Sequence, residues 1–329
     1  MSVDSATAPA EARGLHRDDV RLLVVTGDGV AESPFRELAS HLEPGDLVVV
    51  NTSATLAAAV DGTRQDGSEV TVHFATELDD GAWTVEVRPR AHAHGPVPDL
   101  RVGEVVRLHE RRLHVEATAP GQHRLHRARL DGCARELMWD HGRPIRYGYV
   151  PQAWPLEAYQ TVFATTPGSA EMPSAARPFT PEVVLDLARR GVLVAPLVLH
   201  TGVSSQEPGE PPQPERFRVP GSTAALVNHV RGQGGRVVAV GTTVTRALES
   251  AGVDGVVREA AGWSHLVLGP QRPATVVDGL VTGWHEPGAS HLQLLEAVAG
   301  RALVEAASDE AHRRGFLWHE FGDSCLLLP

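Results

Sequence analysis

The sequence predicts an α/β protein: a mostly parallel sheet flanked by helices, with a small antiparallel β-barrel inserted into it. Three observations carry this reading. Short apolar runs at 46–50, 192–199 and 237–240 alternate with helical patterns, as in a parallel sheet built from crossover units. Between residues 57 and 148 the texture changes to short alternating runs separated by Gly, Pro or Asp, the pattern of a small antiparallel sheet or barrel. Third, Val237-Val238-Ala239-Val240-Gly241-Thr242-Thr243-Val244 passes from strand through a tight turn into a helix. The 329 residues thus divide into a disordered lead (1–18), an α/β body (19–56 and 149–329) and the insert (57–148).

Each element has its own signal. The lead is rich in Ala, Ser and Glu. Residues 21–25 read as a strand, 35–42 as a short helix, and 46–50 as a buried strand after the Pro44-Gly45 turn. The alternating runs of the insert are 70–74, 83–87, 105–108 and 113–115. Beyond it, a helix at 181–190, a strand at 192–199 and a proline-rich loop at 207–220 precede a helix at 223–231. Strand 236–240 leads to helix 243–251, with Thr242 or Thr243 as its expected N-cap. Strands at 264–268 and 276–281, helices at 289–299 and 302–314 and a strand at 323–328 complete the pattern.

Composition bounds the function. The longest apolar stretch, 191–199, is too short to span a bilayer and is broken by Pro196. No signal-peptide pattern opens the chain, and two cysteines, Cys133 and Cys325, exclude a disulfide framework and fit a reducing compartment. The expectation is a soluble cytoplasmic protein, monomer or homodimer, with no membrane partner. The net charge is −11, and every one of the 30 cationic residues is arginine. That balance weighs against broad nucleic-acid binding. Locally, residues 101–146 hold ten arginines against six acids, an excess that suits either a polyanion or a solvated face.

Polar residues collect where predicted strands end, and loops after parallel strands share one rim. The helix N-terminus at Gly241-Thr242-Thr243 offers free amides to an anionic or polar ligand. His200-Thr201-Gly202 follows strand 192–199, and Thr282-Gly283-Trp284-His285 follows strand 276–281. Gly322-Asp323 leads into the last strand, and Tyr159-Gln160-Thr161 lies upstream of a Gly168-Ser169 turn. His200 reads equally as a core histidine and Asp323 as a turn residue, whereas His285 on a glycine-bounded loop points to function. Arg246 reads as a binding group or, with Glu249, as a surface i, i+3 pair. His92-x-His94 and His123-x-x-His126 lack supporting ligands, so no metal is expected.

Together these residues resemble the S-adenosylmethionine:tRNA ribosyltransferase-isomerases of queuosine biosynthesis. The matching runs are Leu42 to Thr52, Tyr159 to Phe163, Leu199-His200-Thr201-Gly202, Ala239 to Ser250, Val277 to Pro287, Ala297 to Gly300 and Phe321-Gly322-Asp323. The resemblance implies an α/β domain with an inserted β-barrel. It also implies ribosyl transfer from S-adenosylmethionine to an aminomethyl-7-deazaguanine base in tRNA, with release of adenine and methionine and no metal. It assigns acid–base roles to His285, His200, Glu215 and Asp323. Binding of the nucleoside or methionine part falls to Gly241, Thr242, Thr243, Arg246, Tyr159, Gln160, Thr161, Gly202, Thr282 and Gly322.

The chain departs from the family motifs at several places. The Asn-Asp/Asn-Thr-Arg run is Asn51-Thr52-Ser53-Ala54, and a further arginine is Ala59. The Ala-Pro-Thr-Ala-Gly-Leu-His-Phe loop reads Met172 to Phe179, with Pro178 for the histidine. Tyr-Arg-Phe-Phe-Ser-Tyr becomes Phe316-Leu317-Trp318-His319-Glu320-Phe321. Two readings follow: the family reaction on tRNA, or a paralogue that binds S-adenosylmethionine or a related nucleoside and acts on a small-molecule acceptor. An inactive binding module is the third.

Overall fold

The computed structural model describes residues 4–90, 95–121, 123–203, 212–284 and 290–329. Strands made of Val and Leu stack into a nine-stranded sheet. In spatial order they are Ala260–Ser264, Glu215–Val219, Leu193–Leu199, Leu47–Asn51, Val237–Val240, Gly279–Gly283, Ser324–Leu328, Arg21–Thr26 and Gly29–Pro34. The middle strands Leu47–Asn51 and Val237–Val240 are buried at every residue. Leu47 and Val49 face one core with helices Thr242–Ala251 and Arg301–Arg313; Val48 and Val50 face the other with Phe35, Phe179 and Leu187.

The sheet is mixed, which corrects the mostly parallel expectation. Parallel pairing joins Leu193–Leu199 to Leu47–Asn51, the latter to Val237–Val240, that strand to Gly279–Gly283, and Ser324–Leu328 to Arg21–Thr26. The other four pairings are antiparallel. For the first hairpin the reason is connection length. Arg21–Thr26 turns back through Gly29, a short link that permits only an antiparallel partner. Apolar runs buried on both faces look alike in either orientation, so the sequence does not distinguish them.

The insert closes into a six-stranded antiparallel barrel from Ala59–Thr63, Glu69–Glu77, Trp83–Pro89, Val105–Leu108, Arg111–Thr118 and Leu125–Leu130. Its core holds Val72, Phe74, Val85, Val87, Leu108, Leu113 and Leu125, and helix Ala134–His141 packs Leu137 and Met138 onto it. Glu86 is fully buried there, hydrogen-bonded by Arg88 Nε at 2.5 Å and Arg124 Nη1 at 2.7 Å. Burial pushes its carboxyl up, but the hydrogen bond and charge of Arg88, with the His73 ring 3.5 Å away, outweigh this and hold it at about 2.

The lead differs from its expected disorder from Asp4 onward. Ala6 and Ala10 are buried, Ser5 bridges Trp318, and Arg17 donates to the Gln160 carbonyl at 2.9 Å. Small side chains fit the shallow surface and the arginines anchor it. The arginine excess at 101–146 is also largely answered by acids, several of them outside that segment. Arg127 and Arg129 share Asp80 and Glu116, Arg135 meets Glu77 and Arg143 meets Asp61. Among the described residues no helix is long and apolar enough to cross a membrane.

Candidate functional site at the sheet rim

Mixed pairing does not scatter the predicted residues, because antiparallel neighbours present their N-terminal ends where parallel strands present their C-terminal ends. Asn51, His200 and Gly241 follow the ends of parallel strands; Glu215 and Asp323 sit at the start of antiparallel ones. All five therefore belong to one rim.

Asn51 brackets it. Its amide donates to the Leu199 carbonyl at 2.8 Å and to Thr243 Oγ1 at 3.4 Å, while its oxygen accepts from Leu199 N and Ser53 N, both at 3.0 Å. The chain is thereby turned so that Ser53 Oγ lies 2.7 Å from His200 Nδ1 and 2.6 Å from Ser169 Oγ. Ser169 in turn accepts from Thr201 N at 3.0 Å. The His200 ring lies against Gly168, where a Cβ would run into it. Burial, with the positive charges of Arg135 and Arg216, drives the imidazole down to about 4, so His200 is neutral at physiological pH.

Gly241, at φ +90°, is itself the cap residue of helix Thr242–Ala251, correcting the expectation that a threonine caps it. No side chain caps this N-terminus. Arg246 is not a surface partner of Glu249. It forms an ion pair with Glu215 and donates to the carbonyls of Gln213 (3.0 Å), Ser264 (3.2 Å) and Leu266 (3.2 Å). Its guanidinium therefore ties the Gln213 and Leu266 segments together. Glu249 accepts from the amides of Thr275, Val276 and Val277 at 2.8–3.0 Å. Glu215 is raised by burial, offset by Arg246 and the Gly202 amide.

Asp323 also serves the backbone. It accepts from Arg21 N at 2.9 Å and Leu317 N at 2.8 Å, and burial raises it despite both amides. A Cβ on Gly322 would meet the Trp318 carbonyl at 2.7 Å, so this turn requires glycine. Gln160 pairs with the Thr55 backbone like a short strand, at 3.0 and 2.8 Å. The buried hydroxyls of Tyr159 and Thr161 have no hydrogen-bond partner among the described residues, and burial lifts Tyr159 to about 12. Thr282 is buried, its hydroxyl donating to the Gly283 carbonyl at 3.1 Å. His285 and the pair His92/His94 lie outside the described residues.

Several residues were not singled out from the sequence. Tyr147 donates to Glu171, whose carbonyl accepts from Thr201 Oγ1 at 2.5 Å. Tyr149 stacks on His319, with ring centroids 3.9 Å apart. The neighbouring Glu320 is lifted by burial to about 7, and Glu171 adds negative charge to both Glu320 and Glu215. Glu171 thus couples the His200 side of the rim to the Glu320 side. Only the departure from the family's serine at Glu320 signalled this in advance. Among the described residues no group of three or more His, Cys, Asp or Glu could hold a metal ion.

A buried imidazole, a carboxyl raised by burial and an open helix N-terminus share the polar rim of a mixed sheet, the usual place of a site in an α/β protein. Comparison gives the family: the profile described as queuosine biosynthesis protein matches residues 3–327, and the chain belongs to that family. The S-adenosylmethionine:tRNA ribosyltransferase-isomerase of Heliobacterium modesticaldum is 35% identical over 331 residues, covering 95% of this chain and 94% of that protein. That of Thermotoga maritima is 31% identical over 321 residues, covering 95% and 93%. The crystal structure of S-adenosylmethionine tRNA ribosyltransferase from Thermotoga maritima is similar at TM-score 0.54 and 26% identity, covering 98% of this chain and 96% of that one.

Proposed function

We propose that this chain transfers and isomerises the ribosyl part of S-adenosylmethionine onto an aminomethyl-7-deazaguanine base in tRNA, releasing adenine and methionine. The observation that carries the reading is similarity to enzymes of that name along 95% of the chain. The reaction needs a proton acceptor near the sulfonium, which acidifies the neighbouring C5′ hydrogens, and a donor for departing adenine. His200 suits the first role. Uncharged, it does not repel a sulfonium, and Ser53 fixes its ring. Glu320, held near half-protonation at neutral pH, suits the second. His285 is assigned an acid–base role in the same reaction. The helix N-terminus at Gly241-Thr242-Thr243 would receive the nucleoside. The reading invokes no metal, and it places the protein in the cytoplasm with tRNA as its partner.

Incubation with S-adenosylmethionine, with and without tRNA carrying the aminomethyl base, tests this. Adenine release only with that tRNA is expected. Release without it, or with a small amine in its place, overturns the reading.

A further inference from the structure

The barrel side of the rim carries a side chain that neither the fold nor the reaction explains. Trp139 is 89% exposed on helix Ala134–His141, whose buried face is Ala134, Leu137 and Met138. An indole left in water presents a broad flat face on which an aromatic ring or base can stack. Its position is informative. Arg135, four residues earlier, shares its helix face, and one turn separates them, ~6 Å of rise. The Arg135 guanidinium holds Glu77 and reaches the Pro167 carbonyl at 3.4 Å, immediately before the glycine on which His200 lies. Trp139 therefore stands about one helical turn outward from the His200 side of the rim.

The surroundings suit a polyanion. His141 stacks on His109 at 3.8 Å, which joins the helix to the hairpin of Val105–Leu108 and Arg111–Thr118. On that hairpin Arg107 and Arg112 are exposed and directly opposite one another. Like charges so placed cost stability unless an anion lies across them. The wider charge balance agrees. Residues 57–148 hold thirteen arginines against fourteen acids, whereas the rest of the chain sets seventeen against twenty-seven. The insert is the part of this acidic protein that repels phosphate least.

We propose that Trp139 is a stacking platform for an unpaired base of the tRNA acceptor, with Arg107 and Arg112, on the hairpin that this helix touches through His141, on the phosphate backbone. Any base offers a π-face, so this contact holds the RNA without reading sequence. The inference rests on the proposed tRNA reaction and assigns the surface that receives the RNA.

Trp139→Ala and Trp139→Phe, compared with the unaltered protein, test it. Adenine release is measured at varied tRNA and varied S-adenosylmethionine, with filter binding of unmodified tRNA alongside. Trp139→Ala should raise the KM for tRNA and weaken tRNA binding by roughly tenfold or more. The KM for S-adenosylmethionine and the melting temperature should stay unchanged, and Trp139→Phe should recover most of the loss. An unchanged KM and unchanged binding in Trp139→Ala, with the unaltered protein active on tRNA, overturn the inference and leave the reaction standing. A changed oligomeric state with unchanged tRNA binding overturns it too, by making the patch an interface between copies. Failure of the unaltered protein to act on tRNA removes the reaction itself, and this inference with it.

Discussion

The barrel and the sheet rim both bury charge, but in opposite ways. In the barrel, Glu86 is matched by Arg88 and Arg124, and its carboxyl stays ionised at about 2. At the rim, among the described residues, no ion pair holds His200 or Glu320, and burial pushes each toward its neutral form, to about 4 and about 7. Matched charge fixes a structure; unmatched charge costs stability and leaves protons ready to move. The difference separates a scaffold from a reactive edge.

The sharpest way to break this contrast is Glu86→Ala, which leaves two buried guanidiniums without their carboxylate. A loss of about 3–5 kcal/mol is expected in chemical denaturation. A loss below ~1 kcal/mol would mean that the barrel cluster is not the matched network it resembles.

On the rim side, Gly168→Ala drives a methyl into the His200 ring. A fall of about 100-fold in kcat/KM, equivalent to ~2.7 kcal/mol, should accompany a melting temperature close to that of the parent. Asp323→Asn retains one amide acceptor and places an NH2 against the other backbone N–H. It should cost about 1–3 kcal/mol by thermal melting, because both carboxylate oxygens are in use.

The smallest expected effect is a slope. Glu320 has a folded pKa raised from 4.5 to about 7, so its contribution to stability is present below pH 4.5 and is lost as pH rises through 7. Glu320→Gln should flatten the fall in melting temperature across that window. An unchanged pH profile would show that the carboxyl is not held neutral.

How much of this was legible follows from the physics of each signal. The barrel strands at 70–74 and 83–87 alternate with period two and announce themselves. The central strands are apolar on both faces, so their order and direction were not. At the rim, His200 and Gly241 were found because they follow strands. Ser53 was not, because its role depends on His200, 147 residues away. Arg246 and Glu249 show the opposite error: their i, i+3 spacing suggested a local pair, but both are buried and bind distant partners. Spacing along one helix says nothing about the strands packed beneath it.

The order of strands also bears on how the chain is made. Among the described residues the hairpin Arg21–Pro34 joins the sheet through Ser324–Leu328, a strand that lies nearly three hundred residues further along the chain. While the ribosome adds the intervening three hundred or so residues, the first β-structure of the protein has an open edge and no sheet to join. Completion of the body must therefore wait for Ser324–Leu328, whereas the barrel, whose six strands lie within residues 59–130, can close while the rest is still being added.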